Sequence, residues 1–459
     1  MAATILLFPF VLCFLGLVTW AAYRVFRPSA YTGPAAGTAG GGGGHVSVHV
    51  LVLGDIGRSP RMTYHALSIA KHGGKVNLIG YLENSPHPDI LSNPNITITK
   101  LPAAPRRPAS IPFLLFAPWK VLYQLYHLTW LLAYGLEPAQ WILVQNPPSI
   151  PTLAVAGLVC CLRNSKLMID WHNYGWTILA GTRGARHSLV RLSKLYECYL
   201  GRLGHFHLTV THAMARQLRE PPYSITQPMI SVHDRPAAIF QPITSASARE
   251  EVLRRVIPEK NLVPHLIDGS MRLIVSSTSW TPDEDFSILL DALTQYAAGP
   301  EASTPVLAVI TGKGPQKEMY IRKIEDLTRS GRLPNVRIRT AFLPFPDYAK
   351  LLACADLGIC LHMSSSGVDL PMKVVDMFGA GLPVAAYSGY ESFGELVKEG
   401  ENGRGFETAK ELAGILASLL SKGGRAELEA LRKGAIKEGS RRWDEEWDAT
   451  VGQIMGFSS

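Results

Sequence analysis

The sequence predicts an α/β protein: two successive Rossmann-like domains facing each other across a cleft, preceded by an N-terminal transmembrane helix. Three observations carry this. Strand, glycine turn, helix and strand follow one another from residue 45, the same alternation restarts near residue 270, and residues 5–23 form an uncharged apolar run. With 459 residues, 47% of them hydrophobic and 18% charged, the chain is neither disordered nor collagen-like as a whole. Its net charge of +8 suits an anionic partner, whether a phospholipid surface, nucleic acid or a phosphorylated small molecule.

Residues 5–23 would span about 28 Å as a helix, close to the hydrocarbon thickness of a bilayer. Arg24 and Arg27 follow directly, which favours a cytosolic C-terminal side. A cleaved signal peptide is the competing reading, but no basic start precedes Ile5. Residues 1–27 are therefore taken as a signal anchor and residues 28–44, rich in Gly and Ala, as a flexible linker. The sequon Asn95-Ile96-Thr97 stays unglycosylated if the body is cytosolic. The six cysteines form no CxxC and read as reduced, buried thiols.

The first domain is expected over residues 45–240. Its strands are read at 45–53, 75–80, 141–144, 167–170 and 207–211, with a helix at 63–72. A second apolar stretch at 111–134 contains Pro112 and Pro118, with Lys120, Gln124 and His127 on one stripe. It fits a domain helix with its broad face in the core, a helix dipping into a membrane interface, or a second span. Residues 241–269 are polar and dotted with proline, as expected of an interdomain region. The second domain is expected over 270–440, with strands at 272–276, 306–310, 336–340, 357–361 and 382–386. Its helices are read at 283–296, 317–328, 348–355 and 373–379. Residues 441–459, with Trp443 and Trp447 one turn apart, form a closing helix.

Five strand-end motifs carry candidate chemistry. Gly54-Asp55-Ile56-Gly57-Arg58-Ser59-Pro60-Arg61 follows the first strand, where ligands bind in open α/β sheets. Gly54 and Gly57 allow close backbone approach, Pro60 suits a first helical turn, and Arg58 and Arg61 fit a phosphate. Asp55 is a general base or simply a cap. The second motif, 170–176, puts Asp170, His172, Asn173 and Tyr174 among aromatics, a pattern suited to a sugar. The third, 276–285, ends in Asp-Glu-Asp. A metal-binding reading of these acids is set aside, because Thr281 looks like an N-cap, Pro282 like the first helical residue, and the acids like dipole partners. Ser277 and Thr278 are left to meet a diphosphate. The fourth, 311–315, offers Gly312, Lys313 and Gly314 either as a plain turn or as a nucleotide contact, and lacks a P-loop. The fifth, 364–384, is the strongest. Ser365, Ser366 and Gly367 precede a helix carrying Lys373, which builds a dianion site, and Asp376 one turn later suits ribose hydroxyls.

At this last motif the chain resembles the sugar-nucleotide half of GT-B glycosyltransferases. The set GDIGRSPRM, DWHNYG, SSTSWTPDEDF, ITGKGP and SSSGVDLPMKVVDMFG, with RWDEEW near the C-terminus, is similar to the chitobiosyldiphosphodolichol β-mannosyltransferases over essentially the whole chain. The resemblance implies an enzyme of the endoplasmic reticulum membrane, single-pass, with cytosolic catalytic domains. It implies transfer of mannose from GDP-mannose to GlcNAc2 on dolichyl diphosphate, with inversion and a β1,4 bond, and with no metal or other cofactor. Other membrane-bound mannosyltransferases of the same pathway are implied as partners; no RNA-binding motif points to nucleic acid. Two departures from the broader pattern stand out. Asp369 and Asp376 are seven positions apart where many relatives have glutamates eight apart, and the loop after the second domain's first strand lacks an Arg and a Lys. Lys313 or Lys373 must then supply the cation. On this basis Asp55 and His172 are the candidate bases. Ser277, Thr278, Gly312–Gly314, Ser365–Gly367, Asp369, Lys373 and Asp376 hold the donor. Gly54, Gly57, Arg58, Arg61, Asp170, Asn173 and Tyr174 face the acceptor. A transferase using another donor or a later lipid-linked acceptor is the alternative within enzymes, and a membrane-tethered scaffold that binds sugar nucleotide without turnover is the alternative outside them.

Overall fold

A computed structural model describes residues 46–103, 105–299 and 304–457. The expected anchor and linker lie outside these residues. Among the described residues, no helix is long and apolar enough to cross a membrane.

Among the described residues, the first compact unit is formed by 46–208 with 219–229 and 451–457. Its sheet has the order β3-β2-β1-β4-β5-β6-β7. The strands are β1 (Ser47–Asp55), β2 (Lys75–Tyr81), β3 (Ile96–Lys100), β4 (Trp141–Asn146), β5 (Lys166–Trp171), β6 (Phe206–Thr209) and β7 (Met229–Ser231). β1 pairs in parallel with β2 and β4, and β4 with β5. Burial on both faces explains the near-continuous apolar run of β1, in which Val48, Val50, Leu51 and Val52 are all buried. Helices α1 (Pro60–Lys71), α2 (Phe113–Trp130), α3 (Thr152–Arg163), α4 (Gly175–Arg183) and α5 (Ser188–Leu200) flank the sheet. Pro60 opens α1, as its missing N–H and fixed φ allow.

The second unit comprises residues 209–218 and 230–450. Its sheet has the order β10-β9-β8-β11-β12-β13. The strands are β8 (Arg272–Ser277), β9 (Val306–Thr311), β10 (Val336–Ala341), β11 (Leu357–Cys360), β12 (Val384–Tyr387) and β13 (Gly403–Phe406), all paired in parallel. The two-residue period of the strands splits its core. Leu273, Val275, Leu307 and Val309 enter one buried cluster, while Ile274, Val306, Ala308 and Ile310 enter the other.

Two expectations change here. The supposed interdomain region holds helices Ala246–Val256 and Val263–Asp268, whose Val252, Leu253, Val263 and Leu266 are buried in the second unit. Phe240, placed by sequence with the first domain, lies in that same cluster. Polar outer faces had masked two amphipathic helices. The C-terminal stretch also divides: Trp443–Trp447 is a short helix of the second unit, and residues 451–457 belong to the first. Of the described cysteines, Cys160, Cys198, Cys354 and Cys360 are buried and Cys161 is exposed, so the expectation fails at Cys161 alone.

Candidate active site

Both sheets reverse their strand order beside their first strand, β1 against β4 and β8 against β11. Loops leaving such a switch point diverge and leave room for a ligand. The candidate residues fall on these loops and their neighbours.

In the first unit the centre is Asp170, at the end of β5 and fully buried. Arg61 binds it bidentately, Nε to Oδ2 at 2.8 Å and Nη2 to Oδ1 at 2.9 Å. His65 Nε2 lies 3.2 Å and His172 Nε2 2.8 Å from the same Oδ2. Burial alone would raise this carboxyl. The charge of Arg61 and the hydrogen bonds from both histidines outweigh it and hold Asp170 well below the usual range. Burial, the largest influence on His65, holds that imidazole below its ordinary value. His172 is partly exposed, and with Nε2 on the carboxylate its Nδ1 is the nitrogen left to accept a proton.

This network corrects three sequence assignments. Arg61 is turned inward onto Asp170 and is not a free phosphate-binding cation. Asp170 itself is inaccessible to a sugar. Tyr174 is buried too, its ring stacked on Tyr223 with centroids 5.1 Å apart, so it is core and not a stacking platform. Asn173 bonds locally, its Oδ1 accepting from Tyr174 N–H at 2.7 Å. Arg58 does stay exposed at the loop.

Asp55 behaves as a loop anchor. Its Oδ1 accepts from the N–H of Gly57, Glu83 and Asn84 at 3.3, 3.0 and 3.2 Å, and the Asn84 amide donates to Oδ2. Desolvation pulls the carboxyl up, but these donors outweigh it and hold it below its ordinary value. Such a carboxylate is a poor proton acceptor, so the geometry favours His172 over Asp55 as base. Gly57 is required where it stands: a Cβ would come within 2.8 Å of Asn84 O. Gly54, at the end of β1, meets no such obstruction.

Sequence reasoning missed Glu197, which lies beneath this loop. It accepts from Ser149 Oγ, from Gly175 N at 2.8 Å and from Tyr223 Oη at 2.8 Å, and so fixes the start of α4 directly after the 170–174 segment. Burial raises its carboxyl.

In the second unit, the loops after β8 and β9 fit together backbone to backbone. A Cβ on Gly312 would fall 1.8 Å from Thr278 O, and one on Gly314 would fall 1.7 Å from Ser279 O. Lys313 Nζ rests 3.7 Å from the centre of the Phe342 ring. Ser277 Oγ lies 2.9 Å from Tyr348 Oη.

The Asp283-Glu284-Asp285 run differs from expectation. The helix, Phe286–Ala298, starts later, with Asp285 as its cap accepting from Ser287 N at 3.0 Å. Thr281 closes a turn through Glu284 N–H at 3.0 Å. Glu284 points inward, where it accepts from Thr278 Oγ1 at 2.8 Å and from Lys373 Nζ. Lys373 also lies 3.4 Å from Ser279 Oγ. Lys373 is thus the cation of this loop cluster, held in place by Glu284.

The 364–369 loop is pinned by its own serines. Ser364 donates to Asp369, and its Oγ accepts from Gly367 N at 2.8 Å, where φ is +78°. Ser366 Oγ lies 3.5 Å from the same Asp369 oxygen. His362 Nε2 is 3.4 Å from the other Asp369 oxygen, and these neighbours outweigh desolvation to keep the carboxyl below its ordinary value. Asp369 thus organises the loop. Ser365 lies in the same turn. Asp376, one turn into the helix Met372–Gly379, is pushed up to about 7, first by burial and then by the charge of Asp234.

One group of side chains among the described residues has metal-ligand spacing: the ligand atoms of His212, His233 and Glu395 lie within 4.8 Å of one another. His233 is engaged otherwise. Its Nδ1 lies 2.9 Å from Glu446 and its Nε2 3.3 Å from Glu395. Desolvation opposes its charge, yet the two carboxylates push it up to about 9, which makes it an imidazolium donor.

Residues 271–422 match the family model described as "Glycosyl transferases group 1". A chitobiosyldiphosphodolichol beta-mannosyltransferase of Arthroderma benhamiae is 49% identical over 382 residues, covering 82% of this chain and 85% of the relative. A protein of the same name from Mus musculus is 42% identical, covering 89% of each chain. Among solved structures, sucrose-phosphate synthase from Thermosynechococcus elongatus superposes with a TM-score of 0.62 at 16% identity, covering 89% of this chain and 98% of that one.

Proposed function

Because the chain belongs to the chitobiosyldiphosphodolichol beta-mannosyltransferase family, we propose that it transfers mannose from GDP-mannose to GlcNAc2 on dolichyl diphosphate, inverting the donor's anomeric centre. It is a glycosyltransferase with the GT-B fold. The observation that carries the mechanism is the Asp170–His172 pair, with His172 Nε2 2.8 Å from Asp170 Oδ2.

In this reading the acceptor hydroxyl attacks the anomeric carbon in line with the leaving GDP. His172 Nδ1 takes the hydroxyl proton as the new bond forms. Asp170 fixes the imidazole tautomer and stabilises the imidazolium that results. GDP departs with the bonding pair, and its growing charge is met by Lys373 and the N–H groups at the head of the Met372–Gly379 helix. Asp376 receives the ribose hydroxyls. Arg58, exposed on the first unit, meets the acceptor diphosphate. We propose that no metal takes part: Glu284 is paired with Lys373 and Asp285 caps a helix, so the acidic run is already engaged.

Residues 5–23 anchor the chain in the endoplasmic reticulum membrane with both units cytosolic. Asn95, which accepts from Lys75 Nζ at 2.7 Å, then stays unglycosylated. The deciding experiment incubates the detergent-solubilised protein with GDP-mannose, lipid-linked GlcNAc2 diphosphate and a chelator. The expected product carries one mannose removable by a β-mannosidase. Transfer from another sugar nucleotide alone, or GDP binding with no transfer to any acceptor, would overturn the reading.

A further inference from the structure

The loop after β4 borders a cavity that no local motif marked. At about 450 Å³ it has the size of a small-molecule site, and it lies wholly within the first unit. Pro147, Pro148 and Ile150 of the loop form one wall, and Ile178 and Leu179 of α4 form another. β4 is the neighbour of β1 where this sheet reverses its strand order, so the cavity occupies the edge at which open α/β sheets take their ligands.

Both walls are tied to one buried group. Ser149 of the loop donates to Glu197, and the N–H of Gly175, the first residue of α4, donates to the same oxygen at 2.8 Å. Ser149 and Gly175 themselves line the cavity. Their separation is thus fixed before a ligand arrives, which spares the ligand the entropy of ordering them. Gly175 stands three residues after His172, so the cavity and the proposed base follow the same strand.

The lining restricts what fits. Among the described residues that line the cavity none is charged, so it suits neither a diphosphate nor another anion. Two of its hydroxyls are already committed as donors: Ser149 Oγ to Glu197, and Thr182 Oγ1 to Leu179 O at 3.0 Å. Their oxygens remain able to accept. An apolar cavity with accepting oxygens matches an N-acetyl group, which brings a methyl and an amide N–H. A hydrocarbon chain would leave those oxygens unmatched.

We propose that this cavity is a specificity site for the acceptor. It receives an N-acetyl group of GlcNAc2, with the methyl against Ile150 and Leu179 and the amide N–H on a hydroxyl oxygen of Ser149 or Thr182. The inference rests on the acceptor proposed above and adds the residues that read its amide substituents.

The test compares acceptors that differ only in that group. Lipid-linked chitobiosyl diphosphate is prepared with N-acetyl or N-butanoyl groups, each on a phytanyl and on a longer polyprenyl chain. Each is offered with GDP-mannose to the full chain and to Leu179→Ala. The parent is expected to use the N-butanoyl acceptor at least about tenfold less efficiently in kcat/KM, and Leu179→Ala, by making room, to cut this discrimination to about threefold or less. The effect is the same on both lipids, and the KM for GDP-mannose does not change. A merely loosened fold would not exchange one acyl group for another. No discrimination by the parent, discrimination unchanged in Leu179→Ala, or an effect that follows the lipid and not the acyl group overturns the inference; the last would give the cavity to the first isoprene units. Calorimetric titration with lipid-free chitobiosyl diphosphate carrying either acyl group repeats the comparison without turnover. A parent that transfers no mannose, yet shows acyl selectivity that Leu179→Ala relaxes, would sink the proposed reaction and leave the cavity assigned.

Discussion

His172 Nε2 and Arg61 Nε converge on a single oxygen of Asp170, each at 2.8 Å. One partner is buried and permanently charged, and the other reaches the surface. The carboxylate therefore has two separable roles, and two substitutions separate them. His172→Ala is expected to lower kcat by about 10²–10⁴-fold with little change in the melting curve. Arg61→Ala leaves a buried carboxylate without its cation and is expected to cost about 3–5 kcal/mol of stability. Steady-state kinetics and thermal denaturation of both variants check this. Near-native turnover by His172→Ala would remove the assigned base.

Asp376 gives a pH signature. Its folded pKa, pushed up to about 7, lies above the ordinary value of 3.8, so the folded state binds more protons between these limits. The group therefore disfavours folding progressively as pH rises from about 4 to about 7. Asp376→Asn is expected to be more stable than the parent above pH 7, by at most about 4 kcal/mol, with the difference closing toward pH 4. The same variant should bind GDP-mannose more weakly. Denaturant titrations across this range decide it, and a pH-independent difference would refute the assignment.

His233 gives a slope of the same sign at higher pH. Raised to about 9 between Glu395 and Glu446, it contributes stability that is fully present below about 6.5 and is lost as pH climbs through about 9. His233→Gln should erase that dependence, at a cost of up to about 3 kcal/mol at pH 6. Melting temperatures of the two proteins should converge by pH 10.

Gly312 is one of two donor-loop glycines that admit no Cβ, and it also has a positive φ. It has φ +126°, and a Cβ there would overlap Thr278 O. Gly312→Ala must push apart the loops carrying Ser277–Ser279 and Lys313. The expected outcome is a loss of GDP affinity of at least about tenfold, alongside destabilisation of about 1–3 kcal/mol. Calorimetric titration with GDP measures the first and denaturant unfolding the second.

The central strands were readable in the sequence because burial on both faces forces unbroken apolar runs, as in β1 and β9. β3 was passed over although its ITITK alternates as a half-buried edge strand does; it is only five residues long and lacks the unbroken apolar run of the central strands. The helix after β8 was started too early because Glu284 looked like a dipole partner. Its actual partner, Lys373, is 89 residues away, and no local pattern records that distance. The same holds for Arg61 and Asp170, 109 residues apart. Each was singled out from its own motif, but their mutual neutralisation belongs to the tertiary fold. His65 and Glu197 carried no local signal at all.

The first unit is assembled from three separate pieces of chain, the last of them residues 451–457 among the described residues. Phe457 stacks on His72 with centroids 5.5 Å apart, and its ring also closes over Gly74. During synthesis nearly all of the described chain therefore leaves the ribosome before this unit receives residues 451–457. Until then the turn joining α1 to β2 waits without its aromatic cover, although that turn is among the earliest segments made. A substitution that removes the Phe457 ring would be felt near the start of the described chain, beside the strand that carries Asp55.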